Sequence, residues 1–337
     1  MFIGASKVFC HTDRIQAYLA GERVLPISVK MRLTDKCNLE CYYCSYKGNL
    51  THESMSLSNA LNCLDKLKLM GVKGLVFTGG EPTLHPDFEG IVKAAKEEYG
   101  FDVALITNGV VYCEVAQYLT WVRFSLDTVD EEVFEKIKGH NRLKAVMNTI
   151  ESFIEDKEHK GSSMTVGIQA IVNKHNFDYQ FSKIRNVIKY ALSVGADYVQ
   201  VRPLENYAYG KEELFIIKDN LKDLKEYDFG IKVITTGYKW YEVEKGYKRD
   251  YSGCPSADFI GSVDVKGDFY ICCATINDRT ARYGNLMTDS AEEILLNRKA
   301  VQAGFDYRKC TTNLICQGSL LNQTLSNFKE VKHINFV

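Results

Sequence analysis

Cys37-Asn38-Leu39-Glu40-Cys41-Tyr42-Tyr43-Cys44 packs three cysteines into eight residues at C-x3-C-x2-C spacing. Three thiolates hold three irons of a four-iron, four-sulfur cube and leave the fourth iron without a protein ligand. A structural cluster takes four thiolates, so the loop predicts a cube with one open position. The same logic separates open catalytic zinc sites from closed structural ones. An open iron binds a small molecule. The competing reading is a zinc knuckle, for which His52 offers a nearby fourth ligand.

The sequence around the loop sets its position in a fold. Ile27 to Leu33 alternates like a strand and delivers the chain into the cysteines. Ser56 or Ser58 caps a following helix whose inner edge runs through Leu57, Leu61 and Leu64, and Gly71 ends it. Gly74 to Thr78 reads as a buried second strand that runs into Gly79-Gly80-Glu81-Pro82. A helix from Asp87 to before Gly100 and a third strand, 101–107, come next, closed by Asn108-Gly109. A fourth strand is expected at 121–127, helices at 130–138 and 142–158, a fifth strand at 163–173, a helix at 177–194 and a sixth strand at 198–203. Strands alternating with helices of this length predict βαβ units and a parallel sheet. In barrels of parallel strands the chemistry sits at the C-terminal strand ends, where the cysteine loop and Gly79-Gly80-Glu81-Pro82 both fall.

These motifs resemble the radical S-adenosylmethionine (SAM) family, in which an aromatic residue, here Tyr43, precedes the third cysteine. The resemblance implies a partial (β/α)6 TIM-like barrel over residues 25–205, with 1–24 as a helical lead-in carrying Ile15, Tyr18 and Leu19 on one face. It implies that Cys37, Cys41 and Cys44 hold a [4Fe-4S] cluster whose open iron chelates SAM. One electron then splits SAM and yields a 5′-deoxyadenosyl radical that takes a hydrogen atom from the substrate. By the same resemblance, the backbone of Gly79, Gly80 and Glu81 binds the SAM amino group and Tyr43 packs near the adenine. Ser125 and Asp127 are candidates for the ribose, or else cap the next helix. Lys138 stands where many relatives carry an arginine for the SAM carboxylate, or else is a solvated surface lysine. Val199 to Glu205 partly resembles the family's sixth-strand motif facing adenine.

A connector, 206–250, is rich in Tyr and Lys, with a helix expected near 211–227 and a strand at 230–236. Its Tyr207, Tyr209, Tyr238, Trp240 and Tyr241 line a polar pocket or pack the junction. In 251–337, Phe259 to Asp264 and Phe269 to Cys273 read as a hairpin turned at Lys266-Gly267-Asp268. Cys254, the hairpin, Cys272, Tyr283-Gly284-Asn285-Leu286, a helix at 289–302, Cys310 and Cys316 together resemble the SPASM/Twitch auxiliary-cluster domain. Five cysteines lie in this segment, enough for one auxiliary iron–sulfur cluster. The resemblance implies Cys254, Cys272, Cys310 and Cys316 as its ligands, and strand alternation with the C-x17-C spacing favours Cys272 over Cys273. The alternative is a four-cysteine zinc site.

Composition bounds the rest. Hydrophobic residues make up 45% of the 337-residue chain and charged ones 25%, ordinary for a globular protein. A net charge of −1 argues against a general nucleic-acid or membrane-surface binder. No apolar run approaches the roughly 20 residues of a membrane span, and the N-terminal residues lack a signal peptide's regions. A cytoplasmic setting is expected, with the eleven cysteines as metal ligands or buried thiols; Cys10, Cys63 and Cys113 are expected as small buried hydrophobes. The expected partners are an electron donor such as flavodoxin or ferredoxin and a small polar substrate of polyol, aminocyclitol or sugar type. The short lead-in, the single auxiliary cluster and the resemblance to Twitch enzymes, one of which oxidises an aminocyclitol alcohol, imply that substrate class. Arg202, at the end of the sixth strand, is the candidate to hold it, or else binds the SAM carboxylate or pairs with Glu205. Peptide maturation and a zinc-stapled binding protein are the competing functions.

Overall fold

A computed structural model describes residues 6–47, 50–204, 209–244, 253–307, 310, 316 and 318–328. The elements in chain order are α1 (Thr12–Leu19), β1 (Ser28–Arg32), α2 (Leu57–Leu69), β2 (Gly74–Thr78), α3 (Phe88–Glu97) and β3 (Asp102–Thr107). Then come β4 (Trp121–Ser125), α4 (Glu131–Lys138), α5 (Leu143–His159), β5 (Thr165–Val172), α6 (Ser182–Ser193), β6 (Tyr198–Pro203), α7 (Lys211–Glu226), β7 (Lys232–Ile234) and α8 (Gly237–Glu244). The chain continues with β8 (Ile260–Val263), β9 (Asp268–Tyr270), β10 (Arg282–Asn285), α9 (Ala291–Gly304) and α10 (Ser319–Phe328). No described helix is long and apolar enough to cross a membrane.

Strands β1 to β7 pair in parallel in sequence order, as βαβ units require. The sheet has ten strands in the order β10-β9-β8-β1-β2-β3-β4-β5-β6-β7 and does not close, so it is a partial TIM-like barrel. Its eighth strand runs parallel to β1, with Ser28 opposite Ile260 and Met31 opposite Val263. The hairpin β8–β9 turns at Gly267, whose φ of +77° is a left-handed conformation that glycine adopts without strain. Asp264 fastens that turn by accepting from the backbone of Lys266 and Asp268, both at 2.9 Å.

Alternation along the strands gives the sheet two different faces. Val29, Met31, Leu75, Phe77, Val103, Leu105, Val122, Phe124, Val166 and Ile168 are fully buried in one core with α2, α3, α5 and α6. Burying each such side chain contributes about 1.5–3 kcal/mol, so this face fixes the register. The intervening positions form the inner face, where Lys30, Arg32, Thr78, Arg123, Ser125, Gln169, Gln200 and Arg202 stand among the apolar Val76, Ile106, Trp121 and Ile171.

Some details differ from the sequence reading. Tyr18 is buried, but Leu19 is half exposed, so the inner face of α1 stops one residue earlier. Cys63 and Cys113 are buried as expected, whereas Cys10 is exposed. Helix α6 starts at Ser182, five residues late. Asn176 ties the preceding loop to Ile171 and Asp127 through its amide, and Asp178 accepts from the backbone of Gln180 and Ser182. Glu205 and Tyr207 lie outside the described residues.

Candidate functional site

The cysteine loop leaves β1 and is clamped by backbone on several sides. Met55 N donates to Leu33 O at 2.8 Å, and Asp35 N to Glu53 O at 2.9 Å. From the end of β2, Gly80 N donates to Thr34 O at 3.0 Å and Glu81 N to Lys36 O at 2.7 Å. A Cβ on Gly79 would lie 2.7 Å from Thr34 O, and one on Gly80 would lie 2.6 Å from Asp35 O. The backbone expected to meet the SAM amino group thus makes its first close approach to the chain's own loop. On another side Glu40 N donates to Lys138 O at 2.8 Å and Tyr42 N to Ile137 O at 3.1 Å. Gly139 ends α4 at φ +81°, and a Cβ there would lie 2.9 Å from that of Glu40.

Side chains complete the clamp. Glu81 is buried and accepts from Thr83 Oγ1 (2.9 Å), Thr107 Oγ1 (2.7 Å) and Asn108 N (2.7 Å), so its carboxylate joins the ends of β2 and β3. Burial pushes its pKa up while these donors pull it down. Asn108 Nδ2 donates to Asn38 Oδ1 at 2.8 Å and stands 3.8 Å from Cys37 Sγ. The sequence reading used Asn108 only as a strand end. Arg32 pairs with Asp35, both buried, and Arg32 sits over the Tyr46 ring at 4.7 Å.

Behind the loop lies a charged triad. Lys138 Nζ is 2.7 Å from Asp127 Oδ2 and 2.8 Å from the Tyr43 hydroxyl, which also donates to Asp127. Lys138 is thus buried and paired, not a solvated surface lysine. Asp127 also accepts from Ile171 N at 2.8 Å. Its carboxylate is therefore fully engaged by the protein, and it fixes Tyr43 beside Cys44. Ser125 lies on the inner face opposite Gln169 and is half-buried.

Cys37, Cys41 and Cys44 are half-buried together at the C-terminal ends of β1 to β4. Burial raises the Cys37 thiol and pushes Cys41 up to about 11, with Lys138 opposing the shift. Such thiols are protonated until a bound metal displaces the proton. Among the described residues no three His, Cys, Asp or Glu side chains are gathered tightly enough to hold a single metal ion. The fit to a cluster rests on the donor set, three soft thiols in one loop with an amide donor beside Cys37.

The second cysteine group draws on distant chain. Cys254 accepts from Asn322 Nδ2 at 3.5 Å and lies 3.3 Å from Ser256 Oγ. Burial pushes the Cys272 thiol far up, and Cys273, Cys254 and Cys310 act on it in the same direction. Cys273 Sγ instead lies 3.6 Å from Lys30 Nζ on the inner face of β1. Strand β9 ends at Tyr270, so both cysteines occupy a turn closed by Thr275 N to Cys272 O at 3.1 Å. Strand alternation therefore does not choose between them; Cys272 is acted on by Cys254 and Cys310, while Cys273 lies against Lys30. Cys316 is half-buried at the start of α10, its carbonyl accepting from Ser319 N at 3.1 Å.

Arg202 is buried on the inner face, where its Nη1 donates to Gln169 Oε1 at 2.9 Å. Arg123, which the sequence reading passed over, reaches the same layer and donates from Nη1 to Gln200 Oε1 at 3.1 Å. Its signal was present: a charged residue at alternate parity inside a buried parallel strand. Of the connector aromatics, Tyr209 bonds Val172 O and Leu204 N, and Trp240 packs on it at 5.7 Å. A cavity of about 430 Å³ lies between α7 and α8, lined by Trp240 and Tyr241 among others. It holds none of the cysteines.

Residues 31–171 match the model of the radical SAM superfamily. The chain is 30% identical over 177 residues to a probable GTP 3′,8-cyclase of Methanococcus maripaludis strain C7, covering 50% of this chain and 56% of that one. It is 26% identical over 214 residues to the probable GTP 3′,8-cyclase of Methanocaldococcus jannaschii, covering 59% and 72%. The match thus spans about half the length of the first relative. The structure resembles Streptococcus suis SuiB bound to S-adenosylmethionine, with a TM-score of 0.67 at 16% identity over 94% of this chain and 78% of that one. It also resembles anSMEcpe with bound AdoMet and a peptide, with a TM-score of 0.61 at 19% identity over 90% and 95%. At these identities the likeness is one of fold.

Proposed function

This chain carries a radical SAM domain over residues 31–171, and on that premise we propose that it is an enzyme that cleaves SAM reductively and abstracts a hydrogen atom from a small polar substrate. One observation carries the reading. The three-cysteine loop is locked by backbone at the C-terminal strand ends, on the side of the sheet whose inner face carries Arg123, Ser125, Gln169, Gln200 and Arg202. Cys37, Cys41 and Cys44 hold a [4Fe-4S] cluster, and Cys254, Cys272, Cys310 and Cys316 hold an auxiliary one. When bound, the clusters and SAM supply one-electron cleavage to a 5′-deoxyadenosyl radical and an acceptor for the electron left on the substrate.

The chain's own residues position this chemistry. Asn108 directs an amide proton toward Cys37, and the Lys138–Asp127 pair holds Tyr43 for the adenine. The backbone of Gly79, Gly80 and Glu81 would bind the SAM amino group, Ser125 is the candidate for the ribose, and Arg202 would orient the substrate. A flavodoxin- or ferredoxin-type protein is the expected electron donor. The polar side chains Arg123, Gln169, Gln200 and Arg202 on the inner face support a polyol, aminocyclitol or sugar over a wholly apolar substrate.

The test is anaerobic reconstitution followed by iron analysis, an ultraviolet–visible spectrum and a screen of substrates deuterated at the reacting carbon. Deuterium should appear in 5′-deoxyadenosine. Zinc in place of iron would remove the enzyme reading, and transfer from a ribosomally made peptide alone would replace the small substrate with a peptide.

A further inference from the structure

Two neighbouring tyrosines of the cysteine loop go separate ways. Tyr43 turns inward to the Lys138–Asp127 pair, whereas Tyr42 meets the loop that follows β5. Lys174 Nζ lies 5.2 Å from the centre of the Tyr42 ring, and the His175 ring stands edge-on to it at 5.2 Å. Tyr42 is itself edge-on to Tyr43 at 5.3 Å. Packed side chains thus run from Lys174 and His175 to the residue before Cys44. Lys174 is exposed, and so is Lys136 on the last turn of α4. Burial, then the charges of Lys174 and Lys136, lower the pKa of His175, so its imidazole is neutral at neutral pH. The same charges show that both lysines stand around this ring. Glu40 and Glu132 add carboxylates here, in exposed ion pairs with His140 at 3.7 Å and Lys136 at 4.0 Å. Exposed pairs of this kind hold little. Among the described residues no carboxylate forms an ion pair with Lys174.

A cluster held by Cys37, Cys41 and Cys44 takes its electron from outside the chain, and electron transfer falls steeply with distance. The carrier must therefore press on surface close to the cysteine loop. We propose that Lys174 and Lys136, set around the Tyr42 ring, form the docking surface for an acidic one-electron carrier protein. This rests on the radical SAM reading above. One electron leaves the reduced carrier and reduces the cluster; no atom is transferred. Opposite charges steer such an encounter and set its rate more than its final affinity. Tyr42 gives the charged rim an aromatic centre, the composition that protein interfaces favour.

The test drives SAM cleavage by the reconstituted holoenzyme with a bacterial flavodoxin, its reductase and NADPH, and in parallel with dithionite. Lys174→Glu combined with Lys136→Glu should raise the KM for flavodoxin about tenfold at low salt. It should leave dithionite-driven cleavage unchanged, and the difference should shrink at about 0.5 M salt, where exposed charges are screened. Calorimetry with oxidised flavodoxin should show the same weakening without turnover. Lys174→Arg combined with Lys136→Arg should restore wild-type behaviour, and Lys299→Glu on α9 should change none of these. An unchanged KM, an equal loss with dithionite, an equal loss in Lys299→Glu, or a rise in the KM for SAM in place of flavodoxin would each overturn the docking surface. A wild type that binds flavodoxin through these lysines but cleaves no SAM with dithionite would sink the radical SAM reading and leave the docking surface standing.

Discussion

Cys37, Cys41 and Cys44 share one loop; the ends of β2 and α4 grip that loop through backbone atoms, and the end of β3 grips it through the Asn108 side chain. Cys254, Cys272, Cys310 and Cys316, the proposed second set, come from separate segments: a 3-10 turn, the end of the β8–β9 hairpin and the chain before α10. The first group inherits its geometry from a sheet that is built whether or not a ligand binds. The second depends on long loop closures, whose entropy must be offset by whatever joins the ends. Rigidity at the first site suits chemistry that needs aligned partners; the second has the character of a clip.

Four experiments bear on that contrast. Replacing Cys37, Cys41 and Cys44 together by Ala should abolish 5′-deoxyadenosine formation and remove roughly half of about eight irons per chain. Iron and product assays check this, and undiminished SAM cleavage would refute the assignment. Gly80→Ala is the sharper probe, because its Cβ meets backbone oxygens that have nowhere to go. It should cost SAM cleavage and iron at the first site while sparing the second. Wild-type iron and turnover in this variant would show that the clamp is incidental.

Cys272→Ala should lose auxiliary iron and Cys273→Ala should keep it, by iron analysis after triple replacement of the loop cysteines; the reverse would reassign the ligand. The smallest effect is expected from Lys138→Met. Removing one member of the buried Lys138–Asp127 pair leaves an uncompensated carboxylate and should cost about 3–5 kcal/mol in denaturant unfolding. A change under about 1 kcal/mol would mark the pair as solvated, like an exposed ion pair.

The alternation of Ile27–Leu33 and Trp121–Asp127 and the helix periods between strands were legible because they are local. So were the cysteine loop and Gly79-Gly80 as motifs. What those glycines touch was not legible, since Asp35 and Gly80 meet only after β1 and β2 pair. The delayed start of α6 escaped because Phe177 and Phe181 mimic a helical period, while Asn173, Asn176 and Asp178 spend their side chains on loop backbone. Arg123 escaped because its partner layer is assembled from β5 and β6.

The parallel pairing of β8 with β1 has a further consequence. That contact occupies the backbone edge of the first strand from Ser28 to Met31. A polypeptide cut after Glu244 would leave this edge as a bare template for any extended peptide, including a second copy of itself. Such an excised barrel would self-associate through strand addition, and its colloidal behaviour would change before its chemistry could be measured.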